Sequence, residues 1–531
     1  MSQRPKQRSQ KTKKGPRLTL SMIVRNEEQF LEGCLHSVQG VVDEIVIADT
    51  GSSDRTIDIA RGYGARVISI PWQNDFSAAR NASLQQATGD WILYLDADER
   101  LASGQGVTLR ALLSNTHAGA FTLLVGGDIE LQAGRFAHSN AYPRLFRRYP
   151  LIRFEGKVHE QIAPSIQRLG MTIVPSNIVV EHLGYAQGVD ITREKCKRNI
   201  ALLRTQLEED PDDAYARFQL GNSLTILKQF ADARRELEQA LRSPLLSSPI
   251  RANIMNLFAE IDVNEQQFER ALECYRESLR YAPRQTMARW FMGGVLMNQR
   301  RFDEAIPLLQ ELAVQATGCG QTPPIDIAYD LMISVEELYY RLGHCYASTG
   351  RYLDAEEALF RSLQHSPDLN DALPELLRVQ ELLNKPITGI AHLEQLRRNG
   401  LQTADLLLAL ARLYWNAADQ TSALRVVEEA MSSFPEDVRG YELDVRWKLE
   451  EGRSADAEET LSRAESRGVI SFELDRQSLQ AALKRNDVHG ACRYLERMLD
   501  NIPPNLSAMK PQLMTLASRL SSELYATREQ Q

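Results

Sequence analysis

Apolar residues follow one pattern before residue 200 and another pattern after it. In the first part, short apolar runs rich in β-branched residues alternate with segments of helical periodicity. The runs predict strands at 17–24, 44–48, 66–70 and 91–95, and the intervening segments predict helices at 27–38, 54–63 and 76–87. Strict alternation of strand and helix predicts an α/β domain with a doubly wound, mostly parallel sheet.

The second part of the chain is helical throughout and repeats itself. Small residues recur in one register, spaced by 34 positions: Ala355, Gly389, Ala423, Ala457 and Ala491. A period of 34 residues with two helices per unit is that of tetratricopeptide repeats, in which small residues let the helices approach closely. We therefore predict about eight repeats between residues 214 and 503, followed by a capping helix. An irregular helical bundle is the alternative, but chance would not keep one register over so many units.

These patterns divide the chain into three parts. Residues 1–16 are basic and polar and predict a disordered tail, residues 17–200 an α/β domain, and residues 201–531 an all-α solenoid. An insertion at 317–329, rich in glycine and proline, interrupts the repeat register and predicts a loop on one face.

Composition narrows the classes of function. With 43% hydrophobic residues, 25% charged residues and a net charge of −8, the chain resembles a globular protein that does not bind nucleic acid. No apolar run approaches about 18 residues and the N-terminus has no apolar core, so we expect no transmembrane segment, no signal peptide and a cytoplasmic location. The 6 cysteines are scattered and predict free thiols.

Polar residues come directly after three of the predicted strands: Arg25 and Asn26, then Asp49, then Asp96 and Asp98. Ligands of doubly wound sheets bind in the crevice at the carboxyl ends of the strands, so we expect these side chains to line one site. Two carboxylates that end a buried strand suit a divalent cation that bridges a diphosphate. A single carboxylate such as Asp49 suits hydrogen bonds from a nucleobase or a ribose.

The Asp-x-Asp pattern alone is a weak signal, because it occurs a second time at Asp210 and Asp212. That second pair lies at a repeat junction, where we expect helix capping. Only the pair at residues 96 and 98 follows a buried-strand run, and turn capping is the alternative there.

Four segments together resemble the successive motifs of the family 2 glycosyltransferases, which have the GT-A fold. They are SMIVRNEE at 21–28, IADTGSSDRT at 47–56, FSAARNA at 76–82 and GDWILYLDADE at 89–99. Their order and spacing are those of the family, and the similarity is greatest to the subgroup that carries tetratricopeptide repeats behind the transferase domain.

The resemblance implies a donor site and a metal site. The donor-binding residues would be Arg25, Asn26, Glu27, Asp49, Arg80 and Asp96. Of these, Asp49 would contact the nucleobase or ribose, and Arg80 would lie near the diphosphate, whose geometry a guanidinium suits. Asp96 and Asp98 would hold Mn²⁺ or Mg²⁺.

Three later segments resemble the same subgroup, at residues 142–147, 154–161 and 180–185. Inverting transfer needs a general base, for which Glu160 and His159 are the candidates; either could instead be an ordinary polar residue at a strand end. His182 could complete the metal shell or be a packed, hydrogen-bonded histidine. Arg144 and Arg147 could hold phosphate or acceptor, or lie on the surface.

Together, the residues and the resemblance predict an inverting, metal-dependent glycosyltransferase of the hexosyl or N-acetylhexosaminyl type. Its donor would be a nucleotide diphosphate sugar, preferably UDP-linked. Concave solenoids bind extended polypeptides, so a protein or peptide acceptor on the repeats is the first hypothesis, and a lipid-linked or polysaccharide acceptor is its rival.

Two other classes of protein compete with this prediction. A catalytically silent interaction scaffold would have lost Asp49, Asp96 or Asp98, and all three are present. A nucleotidylyltransferase would favour a glycine-rich, basic loop after the first strand, where this chain has Arg-Asn-Glu-Glu at 25–28.

Overall fold

A computed structural model of the protein describes residues 15–114, 117–131, 134–183, 189–317, 330–366 and 371–528. The chain divides into two compact units, residues 1–334 and residues 335–531. Residues 1–14 of the predicted tail and residues 318–329 of the predicted insertion lie outside the described residues. The helices that follow residue 200 belong to both units. The sequence pattern therefore changes near residue 200, whereas the boundary between the compact units lies at residue 334.

The first unit is built on one mixed sheet. Its strands are β1 Leu18–Val24, β2 Glu44–Asp49, β3 Arg66–Ser69, β4 Trp91–Tyr94, β5 Glu99–Leu101, β6 Ala118–Leu131, β7 Gly134–Arg147, β8 Thr172–His182 and β9 Asp330–Met332. Their order in the sheet is β3-β2-β1-β4-β7-β6-β8-β5, and β9 pairs with β7. The pairs β1–β2, β1–β4 and β2–β3 are parallel, as the alternating pattern predicts.

The helices of the first unit follow the predicted order. They are α1 Leu31–Ser37, α2 Thr56–Gly62, α3 Phe76–Gln86, α4 Gln105–Leu112, α5 Ala163–Arg168, α6 Val189–Glu209, α7 Ala214–Ile226, α8 Phe230–Leu241, α9 Ser248–Asn264, α10 Phe268–Tyr281, α11 Thr286–Asn298 and α12 Phe302–Thr317. The first helix begins at Leu31, later than predicted, because Asn26 takes a left-handed backbone (φ 56°) and the carbonyl of Glu27 closes a turn. The predicted α/β class is confirmed.

The antiparallel half of the sheet is a departure from the mostly parallel sheet that the sequence predicts. β7 runs antiparallel to β4 and forms a long hairpin with β6, while β5 runs antiparallel to β8. Apolar residues of β1 and β4 are buried on both faces of the sheet, as expected for central parallel strands. By their register, β7 and its partner β6 continue past the carboxyl end of β4.

The second unit is helical. Its helices are α13 Val335–Ser348, α14 Tyr352–His365, α15 Ala372–Leu383, α16 Pro386–Arg398, α17 Ala404–Asn416, α18 Gln420–Ser433, α19 Val438–Glu450, α20 Ser454–Ser466, α21 Phe472–Lys484, α22 Val488–Asp500 and α23 Lys510–Arg528, with a 3-10 helix at Pro504–Met509. Among the described residues, sixteen helices run from α7 to α22, the number that eight two-helix repeats require, and α23 follows them. No helix of the described chain is long and apolar enough to cross a membrane.

Small residues at fixed positions allow the two helices of a repeat to pack closely. Ala233, Ala271 and Ala355 are completely buried. A Cβ atom added to Gly343 would lie 2.6 Å from Leu359 Cγ, so only glycine fits there without movement of the leucine. The sequence register therefore reports the close approach of helices within each pair.

Candidate active site

The ends of β1 and β2 are joined by a network that includes three predicted donor-binding residues. Asp49 is buried, and its carboxylate accepts hydrogen bonds from the backbone N–H groups of Gly51 and Ser52 at 3.0 and 3.2 Å. Asn26 Oδ1 accepts the backbone N–H of Ser53 at 2.8 Å. Glu27 follows in the same turn, so the two strand ends form one rigid edge of the crevice.

The charges of two aspartates act on Glu27 at this edge. Burial, together with the negative charges of Asp98 and Asp96, raises the pKa of Glu27 to about 7. Like charges held together in this way are stabilised by a bound cation or by protonation. Arg25, which the resemblance assigns to the nucleotide edge, is exposed.

His182 lies beside Asp98, as a shared metal site would require. Strand pairing places Glu99 opposite His182, and the backbone N–H of Leu183 donates to the carbonyl of Asp98 at 2.9 Å. His182 Nε2 is 3.7 Å from Asp98 Oδ2. Burial lowers the pKa of His182 below its ordinary value, although Asp98 and Asp96 oppose the shift, so the ring favours the neutral form that binds metals.

The donor atoms at this position fit a hard divalent ion only in part. Among the described residues, no group of three or more His, Cys, Asp or Glu side chains is arranged to hold a metal. Mg²⁺ in phosphate-transfer sites characteristically keeps one or two protein carboxylates and completes its shell with phosphate oxygens and water. Asp98 and His182 match that kind of open site.

Two buried arginines are hydrogen-bonded to the other carboxyl groups of the site. Arg80 donates from Nη2 to Asp96 Oδ1 at 2.7 Å and from Nε to Glu160, and Arg144 donates to Glu99 Oε1 at 2.7 Å. Burial raises the pKa of Asp96, but Arg80 and Arg144 outweigh burial and hold it well below its ordinary value. Asp96 is therefore tied to arginines, whereas Asp98 faces His182.

Aromatic rings surround the remaining guanidinium atoms. Arg80 Nη1 and Arg144 Nη1 and Nε are buried and find no hydrogen-bond acceptor among the described residues. Their guanidinium groups lie 5.0 and 4.2 Å from the ring centre of Tyr94. Such cation–π contacts hold the charges in place without using a carboxylate. Sequence analysis did not identify Tyr94 or Glu99, since neither stands out from its neighbours in a strand pattern.

Arg147 does not join the arginines of the site. Its Nε donates to the carbonyl of Ala118 at 2.9 Å, and its guanidinium group lies 4.6 Å from the ring centre of Trp91. Arg147 therefore supports the sheet, while Arg144, considered with it in the sequence, is a buried part of the site.

A cavity of about 210 Å³ opens beside these side chains. Its lining includes six residues that the sequence singled out: Arg80, Asp96, Arg144, His159, Glu160 and His182. The nucleotide-edge residues Arg25, Asn26, Glu27 and Asp49 are not among those that line it. The structure thus separates the predicted residues into a strand-end edge and an arginine-rich cavity.

His159 and Glu160 are carried by a short loop, residues 155–161, that is closed at its base. Glu155 and Gln161 exchange both backbone hydrogen bonds, at 3.0 and 2.8 Å. Within the loop, His159 adopts a left-handed backbone with φ 54°, a conformation that non-glycine residues reach only when their surroundings impose it. Burial lowers the pKa of His159.

Two repeat residues complete the wall of the cavity. Tyr215 and Gln219, on α7, line it together with the 155–161 loop. The helical spacing of aromatic residues on the repeats predicts that most are core, and the buried Tyr275 and Trp290 agree with that prediction. Tyr215 differs, and no local sequence signal distinguishes it from the others.

Comparisons with known proteins match different families in the two parts of the chain that the sequence pattern distinguishes. A family model described as Glycosyl transferase family 2 matches residues 19–151, and two models described as Tetratricopeptide repeat match residues 257–318 and 336–368. The chain is 37% identical over 269 residues to a TPR repeat-containing protein of Synechococcus elongatus, a match that covers 49% of this chain and 66% of that protein.

Two further relatives are named as glycosyltransferases. The SPbeta prophage-derived glycosyltransferase SunS of Bacillus subtilis is 28% identical over 230 residues, which cover 43% of this chain and 54% of SunS. An uncharacterized glycosyltransferase of Rickettsia typhi is 33% identical over 86 residues, which cover 16% of this chain and 29% of that protein. The chain therefore spans between 29% and 66% of the length of these relatives.

Proposed function

Because the chain carries a family 2 glycosyl transferase domain followed by tetratricopeptide repeats, we propose that the protein is an inverting, metal-dependent glycosyltransferase. Its donor would be a nucleotide diphosphate sugar, with UDP as the preferred nucleotide. The observation that carries this proposal is that Asp96 and His182 line one cavity with two buried arginines, and that His182 Nε2 lies 3.7 Å from Asp98 Oδ2.

The strand-end edge would bind the nucleoside. Asp49 and Asn26 organise the backbone there, and a nucleobase or ribose would contact that edge. Asp98 and His182 would hold Mn²⁺ or Mg²⁺, which when bound neutralises charge on the diphosphate. Arg80 and Arg144, fixed by their carboxylate and aromatic partners, would add positive potential where the leaving diphosphate gains charge.

We propose Glu160 as the general base, with His159 as its alternative. Glu160 lines the cavity, and its ion pair with Arg80 holds the carboxylate in place there. In a single displacement, the acceptor hydroxyl or thiol would give its proton to this carboxylate as it attacks the sugar carbon, and the nucleoside diphosphate would leave from the opposite side. His159 lies next to Glu160 in the chain, and burial lowers its pKa, which favours the neutral ring.

The acceptor we propose is a protein or peptide bound by the repeats. Stacked helical repeats are of the kind that binds polypeptides, and α7, the first of the repeat helices, contributes Tyr215 and Gln219 to the cavity wall. A lipid-linked or polysaccharide acceptor remains the rival within the same reaction. The cytoplasm is the location we propose for the reaction.

The deciding experiment is hydrolysis of nucleotide sugars by the full chain. A panel of donors would be incubated with Mn²⁺, Mg²⁺ or EDTA, and nucleoside diphosphate release would be compared for wild type and Asp98→Asn. We expect metal-dependent release from one donor and a loss of at least about 100-fold in the variant.

The second Asp-x-Asp pair provides the matched control. Asp212 is exposed, and its backbone N–H donates to Asp210 at the start of the repeats, so Asp212→Asn removes a carboxylate from the same sequence pattern without touching the cavity. Equal loss in both variants, or release that EDTA does not alter, would contradict the proposed metal site. Absence of turnover and binding with every donor would favour the interaction scaffold instead.

A further inference from the structure

The 155–161 loop is held from outside the sheet domain by α6. Gln206 Oε1 accepts the backbone N–H of Lys157 at 2.7 Å, and Lys157 Nζ lies 2.6 Å from Glu209 Oε1. Asn199 Nδ2 lies 3.4 Å from His159 Nε2. One helix thus contacts the loop at its backbone, at a lysine and at the ring of a candidate base.

The sheet domain holds the same loop from the opposite side. Ser77 Oγ donates to the carbonyl of Gly156, and the backbone N–H of Phe76 donates to the carbonyl of Lys157 at 2.8 Å. These contacts fix the first half of the loop. In the second half, Arg80 donates to Glu160 and the backbone of Gln161 pairs with Glu155, whereas the side chain of Gln161 is held from the repeat side.

The first repeat helix makes the contact that reaches this second half. Gln161 Nε2 donates to the Tyr215 hydroxyl at 2.8 Å and to the carbonyl of His159 at 3.2 Å, and the carbonyl contact fixes the orientation of the Gln161 amide. Gln219 Nε2 donates to the same hydroxyl at 2.8 Å. The partly buried hydroxyl of Tyr215 therefore joins Gln161 and Gln219 at the cavity that Glu160 also lines.

Gln161 and Tyr215 also both line the cavity, so the contact that joins them lies at the cavity wall.

We propose that α6 and α7 are part of the transferase site, with Tyr215 as a positioning residue that sets the 155–161 loop through Gln161. The expected effect of Tyr215 on turnover rests on the proposed function, whereas its expected effect on the 155–161 loop does not. Such a role makes the first repeat a component of the transferase domain, so activity would depend on a helix that lies beyond residue 200.

The first test is kinetic and uses the full chain with the nucleotide sugar that wild type hydrolyses. Tyr215→Phe removes the hydroxyl and keeps the ring, and we expect kcat to fall about 5- to 20-fold with the donor KM unchanged within about twofold. Gln161→Leu should give a similar fall, and the double variant should fall no further, because both changes remove one contact. Additive losses would indicate general destabilisation and would overturn the inference.

The second test does not depend on activity. Hydrogen–deuterium exchange of the peptide that covers residues 155–161 should become about tenfold faster in Tyr215→Phe. Tyr275→Phe is the matched control, since Tyr275 is a buried repeat tyrosine that does not line the cavity, and it should alter neither exchange in this peptide nor kcat.

The outcomes separate the two proposals. If wild type hydrolyses a donor and Tyr215→Phe matches it in kcat, the inference is wrong and the proposed function stands. If exchange in the loop is unchanged, the inference is wrong whether or not a donor is hydrolysed. If no donor is hydrolysed but exchange increases in Tyr215→Phe alone, the proposed function fails while the positioning contact is upheld.

Discussion

The arginine-rich cavity and the repeat junctions both contain buried side chains, yet they are built from opposite kinds of residue. In the cavity, Arg80 and Arg144 are only 7% and 6% exposed and are surrounded by carboxylates and tyrosines. In the junctions, Ala233 and Leu237 are completely buried without polar partners. The first region concentrates charge, whereas the second is apolar at these positions.

This difference indicates what each region contributes to the protein. Burying ion pairs recovers little free energy, because the cost of removing charges from water offsets their attraction. Close packing of small and large apolar residues contributes directly to the free energy of folding. The charged side chains of the cavity are therefore explained by the chemistry they perform, and the apolar side chains of the junctions by the stability they add. Substitutions in the cavity should mainly affect turnover, and substitutions in the junctions should mainly affect the free energy of unfolding.

The largest expected effect is on turnover and is confined to the cavity. Glu160→Gln should lower kcat for donor turnover about 10²- to 10⁴-fold, because an amide cannot accept the acceptor's proton. His159→Asn, which tolerates the left-handed backbone, should lower kcat less than about tenfold. Steady-state kinetics of both variants decide between the candidates, and a greater loss for His159→Asn would make the histidine the base.

The next effect should appear in both stability and turnover. Arg80→Met leaves Glu160 and Asp96 without their shared partner, so we expect the free energy of unfolding to fall by about 3–5 kcal/mol. Chemical denaturation measures this change. Arg439→Met is the contrasting control, since Arg439 and its partner Asp405 are about half exposed and should change stability by less than about 1 kcal/mol. Similar losses in both variants would remove the distinction between buried and exposed pairs.

A smaller effect is expected at the repeat junctions and only on stability. Gly343→Ala places a methyl group 2.6 Å from Leu359 Cγ, and overpacking of this kind costs about 1–3 kcal/mol, partly offset by the better helix propensity of alanine. Gly293→Ala occupies the equivalent repeat position, but its nearest neighbour is Leu309 Cδ2 at 3.5 Å, so it should be neutral or stabilising by up to about 1 kcal/mol. Thermal unfolding compares the pair, and donor turnover should be unchanged in both.

The smallest effect is a pH dependence in the repeats. His344 Nδ1 lies 3.0 Å from Glu375, and the hydrogen bond to this carboxylate raises the pKa of His344, against opposing effects of burial and Arg378. The stability that this pair adds is fully present below the pKa of about 6.5 that His344 has in the unfolded chain. It is lost as the pH rises through the higher pKa that His344 has in the folded protein.

Because His344 is 38% exposed, solvent screening limits this contribution to about 0.5 kcal/mol. Thermal unfolding of wild type and Glu375→Gln at pH 5.5 and pH 8.5 measures it. The difference between the proteins should be larger at the lower pH, and a larger difference at pH 8.5 would reverse the assigned sign.

Much of the fold could be predicted because its signals are local. The runs at 17–24, 44–48, 66–70 and 91–95 became β1 to β4 almost residue for residue, since a buried parallel strand needs a continuous apolar run. The repeat register reported helix pairing directly, because only small residues permit the close approach seen at Gly343. The hairpin of β6 and β7 was not predicted, as its length depends on pairing partners rather than on periodicity.

The candidate site was predictable only in part, for the same reason. The sequence alone determined that Asp49, Asp96 and Asp98 end buried strands, because strand ends can be located from local patterns. Tertiary structure alone decided that His182 lies beside Asp98, that Arg80 pairs with Glu160, and that Tyr215 borders the cavity. Those contacts join residues about 50 to 85 positions apart. They depend on the antiparallel pairing of distant strands and on a loop in which one residue has a positive φ. Local periodicity encodes neither the register of distant strands nor a positive φ imposed by packing.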